Sequence, residues 1–264
     1  MIRKILSAIL LLCALPAAWG QDSFRAAVAV EDGFIAVGEH LARLDSAGNV
    51  VRTFPLQAPL TALALWNDTL AALDTTGAAF LTISPSGELL SREETPAKGR
   101  LCALAADGPV LWAVTDAGEI LHTRDGRQWT VLDFNALYKG FYPEMAFCAV
   151  AAGGGSVMVS GVGKNNTPAA FVSAGGTVWS ERSLDYSEGG AQRMLEAVPM
   201  SLSYDALRDR FYLLCTEGVQ LTLPSCSHCN SLSRYPVAAL YARVPLGFDS
   251  LLLGSDGWRL LEKP

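Results

Sequence analysis

Short apolar runs recur along the whole chain, broken by tight turns rich in Gly, Asp and Asn. TLAALDTTGAAFLTISPSG from Thr69, VLWAVTDAGEILHTRDG from Val110, RFYLLCTEGVQLTLPSC from Arg210 and SLLLGSDGWRLL from Ser250 share one order: apolar run, turn, apolar run. GFIAVGEHLARLDSAG from Gly33 fits with its first turn shortened, and SVMVSGVGKNNTPAAFVSAGG from Ser156 with that turn enlarged. A further apolar run precedes each unit, as in LTALAL, LCALAA and FCAVAA. A fourth follows the first five, as in NVVRTF, ELLSRE, WTVLDF and VWSERSL. The runs mix branched and small residues without strict alternation, the pattern of strands covered on both faces.

Six units of about four strands, recurring every 40 to 50 residues or so, have the period of propeller blades. The pattern therefore predicts an all-β, six-bladed β-propeller. A β-sandwich would also be all-β, but it would not account for the repeating register. Blade six is expected to be incomplete. After DSLLLGS and WRLLEKP no apolar run remains for a fourth strand, and Gln21 to Phe24 are too few to supply one, against a usual strand of about five or six residues. The outer edge of that blade should be poorly protected, and an open edge invites pairing.

One turn recurs between third and fourth runs: TRDGRQW (123–129) in blade three and SAGGTVW (173–179) in blade four. Thr123 or Ser173, with Asp125, can bond the turn's own backbone, Gly126 and Gly176 permit positive φ, and Trp129 and Trp179 should anchor the fourth strand against the next blade. Asp45 to Gly48 and Ser84 to Gly87 occupy the same place in blades one and two. The motif resembles the Asp-box, or BNR, repeat of sialidase-like propellers and of the photosystem II stability/assembly factor family, in a form one residue shorter. That resemblance implies a propeller in which the motif is structural and carries no chemistry.

Sialidases, which the resemblance also brings in, combine an arginine triad, a Tyr nucleophile paired with Glu, and an Asp acid, an exception among glycosidases. Tyr186, Glu188 and Arg193 offer the residue types, but where those enzymes carry Arg-Ile-Pro in the first blade this chain has Phe24-Arg25-Ala26. No catalytic residue is assigned, and a glycan-acting hydrolase stands as the alternative to a binding or assembly module.

The expanded segments locate a partner surface. In an antiparallel four-stranded blade, second-to-third turns and blade-to-blade connections share one face. NALYKGFYPE (135–144), SGVGKNNTP (160–168) and DYSEGGAQRMLEAVP (185–199) all fall there, in blades three to five. They bring Tyr138, Phe141, Tyr142, Lys164, Asn165, Asn166, Tyr186 and Arg193 to one side, a mixture suited to protein or glycan contact. A second reading has Phe141 and Tyr142 plugging the loop over the blade.

Charge narrows the partners. Only 17% of residues are charged and the net is -6, so no Lys/Arg stripe serves a nucleic acid. No cofactor is implied. The N-terminus reads as an export signal: Arg3 and Lys4, then the apolar run Ile5 to Leu15, then Ala18-Trp19-Gly20 as a small-x-small cleavage site. The run is too short to span a membrane. Secretion or a periplasmic location follows, with lipidation at Cys13 as the rival, disfavoured by Leu12.

In an exported protein, Cys226 and Cys229 of CSHC read as a small disulfide at a hairpin tip. Redox or metal roles with His228 are the alternatives, but His40 and His122 are the only other histidines, and Asn230 stands where haem attachment would need His. Cys102 and Cys148 hold equivalent first-strand positions. Quasi-rotational symmetry points them in the same sense, so they should not meet, and with Cys215 they read as small buried hydrophobes. No metal site is assigned. Mass analysis of the exported protein should find the mature chain beginning at Gln21; a lipid-modified Cys13 would contradict the cleavage assignment.

Overall fold

The computed structural model describes residues 24–225 and 229–263. They form six small antiparallel sheets arranged as a six-bladed β-propeller. Blade one comprises Ala26–Val30, Gly33–Val37, His40–Asp45 and Val50–Pro55; blade two Leu60–Trp66, Thr69–Asp74, Ala79–Ile83 and Leu89–Glu94. Blade three comprises Leu101–Asp107, Val110–Thr115, Glu119–Thr123 and Trp129–Asp133; blade four Ala146–Gly153, Ser156–Val162, Pro168–Ser173 and Ser180–Arg182. Blade five has Pro199–Asp205, Arg210–Cys215, Val219–Pro224 and Ser231–Arg234, and blade six only Leu240–Leu246, Asp249–Gly254 and Arg259–Glu262. The missing fourth strand is thus the one the sequence pattern lacked. First strands line the axis, and that of blade one packs beside that of blade six, so among the described residues the two blades meet through side chains and share no sheet.

The apolar runs do not alternate between core and water because successive residues serve two different interfaces. In the second strand of blade three, Leu111 and Ala113 pack against blade two, while Trp112 and Val114 pack against blade four. In blade two, Leu70 and Ala72 face blade one, and Ala71 and Leu73 face blade three. In blade five, Phe211, Leu213 and Cys215 face blade four, and Tyr212 and Leu214 face blade six. Burial on both sides makes every position of these strands apolar, since an unpaired polar group there would lose its water without replacement.

The recurring turns behave as their residue types dictate. Thr123 Oγ1 accepts from the Gly126 amide at 3.0 Å, and Asp125 Oδ1 accepts from the amides of Arg127 and Gln128 at 2.9 and 2.8 Å. Ser173 Oγ accepts from Gly176 at 3.0 Å in blade four. Asp45 and Ser84 accept from Asn49 and Glu88 in blades one and two. Gly176 has φ +80°, and a Cβ there would lie 2.1 Å from the Trp112 ring, so both backbone and space require glycine.

The tryptophans of these turns correct one expectation. Each indole folds back to donate from Nε1 to the Gly carbonyl three residues earlier, Trp129 to Gly126 and Trp179 to Gly176, both at 3.2 Å. That carries the ring toward the preceding blade, not the next one. Trp129 meets Phe80 of blade two edge-on at 5.9 Å, and Trp179 joins Trp112 of blade three. Two short elements are not signalled by the apolar pattern: a helix, Phe134–Leu137, capped by Asp133, and a hairpin, Tyr186–Glu188 with Ala191–Arg193. Both lie within the expanded segments.

The interface between blades five and six is thin in apolar residues, with Tyr212, Leu214 and Leu240 as its buried cluster. Polar groups make up the difference. Arg243 occupies the position of Leu63, Leu104 and Leu202 in other first strands, by register. Its guanidinium stacks 4.1 Å from the Tyr212 ring, donates to Gln220 Oε1 at 3.0 Å and pairs with Glu262 at 2.5 Å. Tyr235 donates to the other Glu262 oxygen at 2.8 Å. The C-terminal edge strand is thereby clamped to blade five.

Burial alone would raise the Glu262 carboxyl, but its bonds with Arg243 and Tyr235 hold it below the ordinary 4.5. Stability from this group is therefore full above its unfolded value and is lost as pH falls through the lowered folded value. Urea titrations from neutral pH to below about pH 4 should show the wild type losing more stability than Glu262→Gln. Arg243→Met should destabilise by roughly 2–3 kcal/mol at neutral pH, below the full cost of breaking a buried pair because Glu262 keeps partial access to water. Equal pH profiles for wild type and Glu262→Gln would show that the clamp contributes nothing.

Candidate functional site

A central cavity of about 790 Å³ runs through the ring, lined by the first strands of all six blades. Its wall is largely Ala, Val and Leu, so its chemistry is concentrated in a few side chains. Those near one mouth are placed by one repeated irregularity. In blade two Leu60 pairs with Asp74 and Ala62 with Leu73, leaving Thr61 as an extra residue. The same bulge isolates Cys102 in blade three, Cys148 in blade four, Met200 in blade five and Tyr241 in blade six. In blade one, Arg25 stands just before Ala26, which pairs with Val37 as Ala62 pairs with Leu73. A β-bulge adds a residue and re-aims its side chain. Here it produces a ring of Arg25, Thr61, Cys102, Cys148, Met200 and Tyr241, all lining the cavity near one mouth.

The ring has two chemically different arcs. On one, the Arg25 guanidinium lies 4.4 Å from the Tyr241 ring, a cation–π contact, and Thr61 Oγ1 donates to the Asp74 carbonyl at 3.2 Å. On the other stand three sulfur side chains in consecutive blades. Cys148 Sγ donates to the Pro199 carbonyl at 3.2 Å, which places it against the residue that precedes Met200. Cys102 Sγ donates to the Arg100 carbonyl at 3.3 Å. Burial pushes the Cys148 thiol up to about 12, with the neighbouring Cys102 adding to the shift. Burial and the Asp116 carboxylate also raise Cys102, against Arg100.

This arrangement corrects the expectation for two of the cysteines. Cys215 is fully buried between blades four and five, as a small hydrophobe should be. Cys102 and Cys148 are only half-buried and line the cavity, although Cys148 also packs against the core between blades four and five as expected. The bulge is what brings these side chains to the cavity wall, and no bond joins Cys102 to Cys148.

The residues expected at the loop face separate into buried and exposed groups. Tyr138 and Tyr142 pack on Phe134 at 4.7 and 6.0 Å, and Tyr142 also meets Phe171 at 4.8 Å. The Tyr138 hydroxyl accepts from the Trp179 amide at 2.8 Å. Tyr186 is buried between blades four and five. Phe141 is 83% exposed, and Leu137, four residues before it, and Met194, just after the hairpin, are also exposed. Lys164, Asn165 and Asn166 form an exposed turn, with both asparagines at positive φ. That turn adjoins the 135–144 segment through Gly163 against Pro143. Arg193 is exposed and lies 4.0 Å from Glu188. Cys226 and His228 fall outside the described residues, so the tip pair with Cys229 is not described, nor is the segment from Met1 to Ser23.

The bulge ring leaves only a faint trace in the sequence. LTALAL, LCALAA and FCAVAA each interrupt an apolar run with Thr or Cys immediately after a large residue.

No family model matches the chain, and no curated protein matches it in sequence. Solved structures match it in fold. A chain from a nidogen–laminin complex is 14% identical, with a TM-score of 0.64 over 87% of this chain and 92% of that one. A streptogramin B lyase is 10% identical, with a TM-score of 0.62 over 94% and 85%. YCF48 from Cyanidioschyzon merolae is 11% identical, with a TM-score of 0.55 over 92% and 85%. At these identities the likeness defines a class, the β-propeller, and nothing narrower.

Alkylation should separate the thiols. In the native protein Cys102 should react before Cys148, and Cys215 only on unfolding, as followed by peptide mapping. Simultaneous labelling of Cys148 and Cys102 would contradict the placement of Cys148 against the blade-five backbone.

Proposed function

We propose that the chain is an exported, non-catalytic propeller that binds a protein partner on the face carrying the blade three to five loops and the cavity mouth. The observation behind this is the contrast within one loop. Tyr138 and Tyr142 are sunk between blades three and four, and the segment they hold rigid presents Phe141 and Leu137 to water. An aromatic fixed by its neighbours binds without losing side-chain and loop freedom, which is how interface anchors act. A glycan platform would need several exposed ring faces, and Tyr138, Tyr142 and Tyr186 are occupied in packing. The nidogen–laminin neighbour, by its name part of a two-protein complex, supports a protein partner; the lyase on the same fold shows why fold alone does not decide.

No observation favours the hydrolase alternative. Among the residues lining the cavity there are two arginines, Arg25 and Arg243, and the second is committed to Glu262 and Gln220. Export rests on the N-terminal pattern from Arg3 to Gly20.

A photo-crosslinking residue placed at Phe141 should trap a defined partner in envelope or secreted fractions of the native host, and Phe141→Ser should abolish co-purification of that partner without lowering thermal stability. The same probe at Phe248, which is 66% exposed in the first turn of blade six on the opposite face, should not trap it. Crosslinks from Phe248 and none from Phe141 would move the interface to the other face.

A further inference from the structure

The sulfur arc of the cavity mouth is not needed for the partner surface, and although Cys148 also packs against the core between blades four and five, all three side chains line the cavity. Elsewhere most buried positions of the first strands hold Leu, Val or Ala, and none holds sulfur. Only at the bulge, where a side chain faces the axis, do blades three, four and five place Cys, Cys and Met in succession. We propose that Cys102, Cys148 and Met200 form a soft-metal site that takes a single monovalent copper ion at the cavity mouth.

The argument rests on placement and on ligand chemistry. The first strands of blades three and four, and of four and five, pack side by side. Equivalent bulged residues in them are therefore near neighbours on the cavity wall. Cys148 Sγ already touches the backbone at Pro199, one residue from Met200. Neither cysteine is in a disulfide, so both are available as ligands.

Two thiols and a thioether select among metals. Thioether and thiolate are soft donors that suit Cu(I), whereas structural zinc takes four Cys or His ligands in a closed tetrahedron. Among the described residues no group of three His, Cys, Asp or Glu is placed to hold a metal, so a zinc site would lack donors. Cu(I) accepts two or three. Binding replaces the two S–H protons with one metal ion: Cu(I) and two thiols give a dithiolate complex of charge -1 and two released protons. Because the ligands bind as thiolates, affinity should increase with pH.

The test uses the full mature chain carrying Cys226→Ser and Cys229→Ser, which removes the other cysteine pair as a competing copper site. Anaerobic titration with Cu(I) against a colorimetric chelator should show one ion per chain, sulfur-only ligation by X-ray absorption, and a raised melting temperature with copper. Cys102→Ala or Cys148→Ala should weaken binding more than roughly 100-fold, beyond the effect of a merely neighbouring group, and Met200→Leu by roughly 10-fold. Met200→Leu conserves volume, so it separates ligand loss from misfolding. The proposal is overturned if the tip-free protein binds no Cu(I), or if binding survives Cys102→Ala and Cys148→Ala unchanged. Both outcomes are independent of the Phe141 interface.

Discussion

Each middle strand of this ring must satisfy two neighbours at once. A strand in an ordinary half-buried sheet shows one face to water, but here Trp112 and Leu111, adjacent in sequence, belong to different interfaces. Six such interfaces make the core, and none is complete without the blade on its far side. A blade detached from its neighbours would expose apolar residues on both faces, at about 25 cal/mol for every Å² returned to water. Closure of the ring is thus what keeps each blade folded. The chain achieves it between blades one and six through Phe34 and Ala36 on one side and Leu251 and Leu253 on the other, with no strand exchanged among the described residues.

That mode of closure explains the concentration of charge near the seam. Among the described residues blade six has no fourth strand, and its apolar contact with blade five is small. Arg243 fills a position that is apolar in other blades and reaches Glu262 on the edge strand. Arg208, held by Asp205 at 2.8 Å, donates to the Phe248 carbonyl at 2.7 Å across the same pair of blades. Arg259 reaches toward the Gly48 carbonyl of blade one at 3.4 Å. The exposed edge itself carries Arg259, Glu262 and Lys263, the charged residues by which natural sheets discourage edge-to-edge association.

The blades are legible in the sequence because their apolar runs and their turn residues repeat together, so TRDGRQW and SAGGTVW fall into register by residue type and spacing. The Trp direction is not legible. It depends on the indole N–H finding the Gly carbonyl behind it, a local bond that no spacing rule reports. At the candidate site the limit is different. Tyr138, Tyr142 and Tyr186 have the composition of a binding platform, but the blades leave gaps that large rings fill, and composition does not say which aromatic fills and which projects. Phe141 projects because Tyr138 and Tyr142 on either side are drawn inward. The bulge ring escapes notice because a one-residue insertion leaves the apolar pattern nearly intact while turning one side chain by half a period.

The central claim is that side-chain packing alone closes the ring, so that three-stranded blade six belongs to the same cooperative unit as the four-stranded blades. Native-state hydrogen exchange tests this most directly. The middle strands Val110–Thr115, Arg210–Cys215 and Asp249–Gly254 should share one slow exchange class with a common denaturant dependence, while Arg259–Glu262, bonded on one side only, exchanges faster. If Asp249–Gly254 instead opens independently, with a smaller free energy and a weaker denaturant dependence than blade three, blade six is a detachable flap and the closed ring is contradicted.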